Sequence, residues 1–473
     1  MNKMIKINWF SFLILLVVLL AACRVGKEYQ RPSLDLPGNF NGISSPDTSS
    51  IADIGWKTFF TDPTLQLLIE KGIAHNHDML VALKRIDIAQ LQVRQAKALW
   101  LPEADLQVTG QYTRPSDNSL NGVSIKNFLG KNHVENYMAA VSLNWEVDVW
   151  GKIRRQKEAV LAEYLGTYEA AKAVQTQVVA NIAQSYFNLL MLDKQIEIAR
   201  RNLSLSDSFL TATRLLKEAG AGTALAVQQA ASQKQSTESL IPQLEQAISL
   251  QENLLQVLTG QYPGPVARKA SLQEFALPNA FPTGLPVNMV SRRPDVRAAE
   301  MELKSLNAQV GIAQANMYPA LNITAGGGLE SFKSSNWFNI PGSLFGLAAG
   351  TIAQPIFKRR ALKTQFETAR LEREQAVIQF RQSVLQASSE VSNALVEVDK
   401  LKQQYQIILG QVDTLKHAVF NAQLLFRSDM AGYLEVITAQ ENALAAELDL
   451  AAIRRRQLGA MVELYRALGG GWK

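Results

Sequence analysis

The sequence predicts a mixed α and β membrane protein, with four short transmembrane strands and two very long helical hairpins in each chain. Three observations carry that expectation. Segments of about ten residues alternate between apolar and polar side chains, as a barrel strand does with one face in lipid and the other in water. Helical periodicity then continues for tens of residues without a proline. The order helix, strand, strand, long helix hairpin also occurs twice, so the chain carries an internal twofold repeat.

The bulk numbers fit such a protein. A chain of 473 residues exceeds one ordinary compact domain, and 47% hydrophobic residues leave ample surface to bury. The formal charge of +6 falls to +4 when residues 1–22, with Lys3 and Lys6, are removed. That bias is small and no dense basic run accompanies it, which argues against a nucleic-acid partner.

Residues 1–22 read as a signal peptide: Lys3 and Lys6, an apolar run from Trp9 to Leu20, then small residues. The run falls short of the roughly 20 apolar residues that a membrane-spanning helix needs. It ends at Leu20-Ala21-Ala22-Cys23, which resembles the bacterial lipobox. Cys23 is the only cysteine, so the chain closes no internal disulfide, and the resemblance makes it the lipidation site. Arg24, where inner-membrane lipoproteins carry aspartate, favours the outer membrane by the same resemblance. More than one acyl chain is needed for a stable anchor.

Residues 23–62, rich in proline, serine, glycine and asparagine up to about 55, are expected to form an extended, lipid-anchored tether. The first repeat is expected over 63–260. Asp62 caps a helix that starts at Pro63, reaches about Trp100 and stops at Pro102. A strand follows over about 104–113, with Ala104, Leu106, Val108, Gly110 and Tyr112 on one face and Asp105, Gln107, Thr109, Gln111 and Thr113 on the other. Residues 114–135 read as a loop. A second strand over about 136–148 sets Tyr137, Ala139, Val141, Leu143, Trp145 and Val147 against Asn136, Ser142, Asn144, Glu146 and Asp148.

A stripe from Tyr164 through Val178, Ile182, Leu189 and Ile196 to Leu203 then marks a helix over about 156–218, roughly 95 Å long. Ala219-Gly220-Ala221-Gly222 ends it. A return helix over about 223–258 is expected to kink at Pro242. An irregular connector over 261–286 leads to the second repeat over 287–473. There a helix runs from about Val287 to Met317 and stops at Pro319, strands follow over about 320–330 and 344–354, and a long hairpin turns near 428–432. Val93, Ala96, Ala98 and Pro102 align with Val310, Ala313, Ala315 and Pro319. Arg154-Arg155 aligns with Arg359-Arg360, Gly222 with Gly432, and Thr259-Gly260 with Gly469-Gly470.

Four strands cannot close a transmembrane barrel, for which eight is the smallest number in use, and open edges are costly in lipid. Several identical chains must therefore share one barrel, and the helices that follow the strands continue its wall.

Three stretches carry a family resemblance: Trp56-Lys57-Thr58-Phe59-Phe60, Arg292-Arg293-Pro294-Asp295-Val296-Arg297-Ala298-Ala299-Glu300, and Gln354-Pro355-Ile356-Phe357. Over the whole mature chain the sequence resembles the TolC-like outer-membrane efflux factors, in particular their lipoprotein branch. The resemblance implies a homotrimer with a twelve-stranded barrel, four strands per chain, continuing into a long periplasmic α-helical barrel. It implies passive conduction across periplasm and outer membrane, contact with outer-membrane lipid, and as partners a periplasmic adaptor (membrane fusion) protein and an inner-membrane pump of the resistance-nodulation-division type. It places the periplasmic gate and the adaptor-docking surface at the hairpin tips. Asp429 and Arg427 are then the gate candidates, and Gly220, Gly222, Thr223, Ser428 and Gly432 the docking candidates. The three glycines are expected to permit the tight reversals. Arg293, Pro294, Asp295 and Glu300, with Pro102 and Pro319, read as a structural signature, Asp295 fitting a helix start.

Enzyme readings find no support. His75, His77, His133 and His417 form no zinc-protease motif, and Gly326-Gly327-Gly328 lacks the lysine and hydroxyl of a phosphate loop. No cofactor or metal is expected. Two alternatives remain: a duct of the same fold for type I protein secretion, and a coiled-coil scaffold lipoprotein without a pore, which leaves the alternating strands unexplained.

Overall fold

The computed structural model describes residues 25–34, 50–275 and 286–473. The expected signal peptide, Cys23, most of the tether and part of the connector lie outside the described residues. The helices are α1 (Trp56–Phe59), α2 (Pro63–His75), α3 (His77–Ala98), α4 (Leu120–Leu129), α5 (Lys152–Glu218), α6 (Ala224–Leu258), α7 (Pro286–Arg292), α8 (Pro294–Ala315), α9 (Ala361–Arg427) and α10 (Tyr433–Ala467). The strands are β1 (Glu103–Thr113), β2 (Val134–Val147), β3 (Ala320–Ser331) and β4 (Leu344–Ala353). No described helix is long and apolar enough to cross a membrane.

Three expectations on element bounds change. The single helix over 63–100 is two, because Asn76 is extended and caps the second: its side-chain oxygen accepts from the amides of Asp78 and Met79, at 3.0 and 3.2 Å. The helix expected over 287–317 is likewise divided, since Pro294 opens α8 with no amide to continue α7. The expected loop 114–135 contains α4, capped by Ser119 at its start and ended by Gly130 at φ +65°. Pro242 lies inside α6 without ending it.

The chain forms two compact units. Of the described residues, one comprises 25–32, 88–165 and 301–378 and contains a single antiparallel sheet in the order β1-β2-β3-β4. The other comprises 33–34, 50–87, 166–275, 286–300 and 379–473 and is helical. Its core packs Leu65 and Ile69 of α2 with Ile182, Tyr186, Phe187 and Leu189 of α5, Leu255 of α6, Phe380 of α9 and Tyr465 of α10, all nearly inaccessible to solvent. Each such side chain stabilises the fold by about 1.5–3 kcal/mol. Gly72 lets α2 press on α5: a Cβ there would sit 2.2 Å from Ile182 Cδ1.

The repeat is closer than the sequence alignment suggests. α5 and α9 both have 67 residues, α6 and α10 both 35, and α3 and α8 both 22. One constant shift places Gly151 on Arg360, Gly220 on Asp429 and Gly260 on Gly469, and all six have positive φ. The pairing of Gly222 with Gly432 is therefore corrected to Thr223 with Gly432, the two residues that cap the return helices. The pairings of Arg154-Arg155 with Arg359-Arg360 and of Thr259-Gly260 with Gly469-Gly470 also shift. The backbone, not the residue type, repeats at these turns.

Candidate membrane wall and hairpin tips

Strand register sorts the sheet's side chains. Leu106 faces Val141, which faces Gly327; Leu143 faces Ala325, which faces Ala348; Trp145 faces Ile323; Val147 faces Leu321, which faces Ile352. Partners across a ladder share a face, so this face is apolar nearly throughout. On the opposite face Glu103 pairs with Asn144, which pairs with Thr324; Asp105 pairs with Ser142; Thr109 pairs with Met138, which pairs with Glu330; and Glu146 pairs with Asn322, which pairs with Thr351. That face carries four carboxylates, and none of the four described strands contains a lysine or arginine. Among the described residues β1 and β4 each have only one neighbour, so two backbone edges are bare.

Aromatic side chains gather at both ends of the strands. At one end Trp145 donates its indole N–H to the Trp100 carbonyl (3.1 Å), Trp150 donates to the Pro319 carbonyl (2.7 Å), and Trp150 stacks on Tyr318 at 4.9 Å. At the other end Tyr112 stacks on His133 at 4.9 Å and Tyr137 lies 5.5 Å from Trp337. Eleven residues of strand tilted by about 45° span about 25 Å, the height of the apolar band of an outer-membrane barrel between its aromatic girdles. Tyr112, Tyr137 and Trp145 were legible as strand residues, but not the grouping of aromatics at both strand ends, although their position there is a usable signal.

The hairpin tips are built alike. At the first, Gly220 is left-handed at φ +77°, the Ala221 amide donates to the Leu216 carbonyl (2.9 Å), and Thr223 Oγ1 accepts from the Ala226 amide (3.1 Å). At the second, Asp429 takes the left-handed position at φ +58° and the Met430 amide donates to the Leu425 carbonyl (2.9 Å), while Ser428 Oγ donates to the Leu424 carbonyl (3.0 Å). The expectation that all three glycines supply the reversal is corrected: Gly432 has φ −81°, and Gly222 is needed for space, its Cβ position being 2.9 Å from the Lys217 amide nitrogen. Beneath the tips, Phe209, Leu210, Ala230, Val436 and Ile437 form one core, with the Phe209 and Phe426 rings 5.4 Å apart. Neither Arg427 nor Asp429 forms an ion pair among the described residues. Met430 and Leu434 stand exposed.

The arginine-proline-aspartate stretch is a helix clamp. Buried Arg293 donates to the carbonyl of Ala467, the last residue of α10 (2.9 Å), to both Asp295 carboxylate oxygens (3.0 and 2.6 Å) and to Glu390 of α9 (2.8 Å). Arg466 shares Glu390 at 3.0 Å. Burial pushes the Asp295 carboxyl up, but the hydrogen bonds and charge of Arg293 outweigh it and hold the group below the usual carboxylate range. Arg297 reaches Glu169 of α5 at 3.0 Å, and Glu300 is buried. Pro102 and Pro319 each precede a membrane strand, one in each repeat.

A sheet with one apolar face, one acidic and polar face, two aromatic ends and two bare edges is a sector of a transmembrane barrel wall. The chain belongs to the outer membrane efflux protein family, whose family model matches residues 68–261 and 285–470. It is thus an outer-membrane component of an efflux system, with the mixed α and β channel fold. It is 28% identical over 462 residues to the probable outer membrane lipoprotein SilC of Salmonella typhimurium, covering 96% of this chain and 97% of that protein. It is 28% identical over 469 residues to the toluene efflux pump outer membrane protein TtgC of Pseudomonas putida, covering 96% and 94%. Among solved structures it matches that of CusC with a TM-score of 0.84 at 26% identity, covering 95% of this chain and 100% of that one. It matches the outer-membrane channel OprN with a TM-score of 0.86 at 25% identity, covering 95% and 100%.

Proposed function

We propose that three copies of this chain, each anchored by an acylated Cys23, close a twelve-stranded outer-membrane barrel, and that the helical hairpin tips form its periplasmic mouth. The observation that carries this reading is the register of the sheet, which gathers the apolar side chains on one face and leaves the outer edges of β1 and β4 without a partner among the described residues. Pairing β4 of one copy with β1 of the next removes every edge, turns the apolar face to lipid and encloses the carboxylates in water. The duct conducts passively. A periplasmic adaptor docks on residues 219–223 and 428–433, and an inner-membrane pump of the resistance-nodulation-division type supplies the cargo and the energy. Asp429 sits at the turn where three copies approach the axis, and like charges there oppose a tightly closed mouth unless hydrated or cation-bound.

Single-channel conductance of the purified trimer in a planar bilayer tests this. Small cation-selective events that enlarge or lose selectivity in Asp429→Asn support the duct and its gate. Unchanged conductance keeps the duct and removes Asp429 from the gate. A trimer that inserts and conducts nothing in either form refutes an open path through the tips. Asparagine is the substitution of choice because it tolerates the left-handed backbone of Asp429 while removing the charge.

A further inference from the structure

A cleft of about 560 Å³, the size of a small-molecule site, lies in the sheet-bearing unit just beyond the strand ends. Four cationic side chains line it, Arg154, Arg155, Lys157 and Lys304, against two carboxylates, Glu28 and Glu158. Arg155 is committed to Glu158 (2.6 Å) and to the Gly26 carbonyl (3.1 Å). The Lys304 ammonium rests 5.2 Å from the Tyr29 ring centre. The side chains of Arg154 and Lys157 make no hydrogen bond or ion pair among the described residues, so the cleft holds an uncompensated positive charge. The remainder of its wall includes Val25, Leu161, Leu165 and Met301, all apolar.

Depth tells what such a cleft meets. Trp150 lines it, three residues after the end of β2, and stacks on Tyr318 in the girdle next to the start of β3. Three residues reach about 10 Å at most, which puts Trp150 at the level of lipid headgroups below the hydrocarbon. Arg154 and Lys157 follow on the first two turns of α5, about 3 and 8 Å along its axis from Lys152, and their side chains are long enough to reach back to that level. The elements concerned run from the two central strands, not from the bare edges that adjoining copies cover.

We propose that this cleft seats the headgroup phosphate of an anionic phospholipid from the periplasmic leaflet, with Arg154 and Lys157 as its ligands and the apolar wall against the glycerol and upper acyl carbons. That the cleft opens to the bilayer and not to the lumen rests on the lipidation reading above: Val25 is two residues from Cys23, whose acyl chains must enter lipid.

Native mass spectrometry of the full-length trimer, released from vesicles of phosphatidylethanolamine doped with phosphatidylglycerol, tests this. The expected result is retention of up to three phosphatidylglycerol molecules per trimer, in preference to phosphatidylethanolamine. Arg154→Gln with Lys157→Gln should weaken retention by at least about tenfold, the effect of losing one charge-assisted hydrogen bond, while the trimer stays intact. Equal retention of both lipids, or no effect of the double substitution, overturns the proposal. So does displacement of the lipid by excess inorganic phosphate, which would mark a site for free phosphate. The same spectra read the mass at Cys23. An unacylated chain that still selects phosphatidylglycerol refutes the anchor and keeps the cleft, and an acylated chain without selectivity does the reverse.

Discussion

Arg293 has one guanidinium and four acceptor atoms on three elements, α8, α9 and the end of α10. Replacing it with alanine leaves Glu390 and the Ala467 carbonyl short of a donor in a largely dry site. Glu390 keeps Arg466, so the loss should lie at the lower end of that for a broken buried pair, about 3 kcal/mol, read as a fall in the denaturation midpoint of the helical unit. Arg293→Lys should recover little, because one ammonium cannot span both oxygens of Asp295 and the Ala467 carbonyl. Asp295 adds a pH dependence. Its folded value lies below that of the unfolded chain, so its contribution is complete above about pH 4 and is lost as pH falls through the depressed value. The carboxylate is about half exposed, which keeps this contribution under about 1 kcal/mol. Melting temperatures followed downward from pH 5 should fall more steeply in the unmodified protein than in Asp295→Asn. Parallel curves would remove Asp295 as the titrating partner.

In the strands, glycines discriminate packing from accident. A Cβ on Gly328 would lie 2.1 Å from the Ala139 carbonyl oxygen and 2.6 Å from the Ala140 Cα, both backbone atoms of β2 that cannot move without opening the β2–β3 ladder. Gly350, in β4, has open space around the same position. Gly328→Val should abolish the trimer of the purified protein in mild detergent, read by light scattering after size-exclusion chromatography, and Gly350→Val should leave it. If both behave alike, the β2–β3 register is not what holds the wall together. A glycine run such as 326–328 inside a strand is by itself a signal of close backbone packing. The partner strand was not legible, since alternation fixes which face a residue occupies and never which strand lies beside it. The helix α4 shows a different limit: Ser119 and Gly130 cap it, but ten residues of weak periodicity between two strands read as loop.

For the whole channel the charge distribution matters most. Glu103, Asp105, Glu146 and Glu330 share the polar face of each sheet, with no strand cation to offset them; Glu146 alone has a lysine, Lys152, at 2.9 Å. In a closed barrel this gives a lumen that favours cations, and the preference is screened by salt. Glu103→Gln with Asp105→Asn should lower the cation-to-anion permeability ratio in reversal-potential measurements at low salt and make little difference at high salt. A ratio indifferent to both substitutions at low salt would place the selectivity elsewhere, with the hairpin tips next in line.

The alternation of the strands, the unbroken periodicity of the long helices and the double occurrence of both are local properties, and they were enough to define a shared barrel with helices continuing from it. Period 2 and period 3.6 are written in consecutive residues, so no tertiary information is needed to see them. The clamp role of Arg293 was not readable, because its acceptors at 390 and 467 are remote in sequence. The tip turns were readable only in part. Glycine marks a left-handed turn when it is present, but at Arg360 and Asp429 the second repeat holds the same backbone without it. Only the packed structure, in which matching helices of equal length end at matching places, shows that these residues do the work of Gly151 and Gly220. The cleft beside Trp150 likewise needed the fold: its two unpaired cations, Arg154 and Lys157, are close together on α5, but the wall that makes a cleft of them comes from Met301 and Lys304 of α8 and from residues 25–29, far away in the chain.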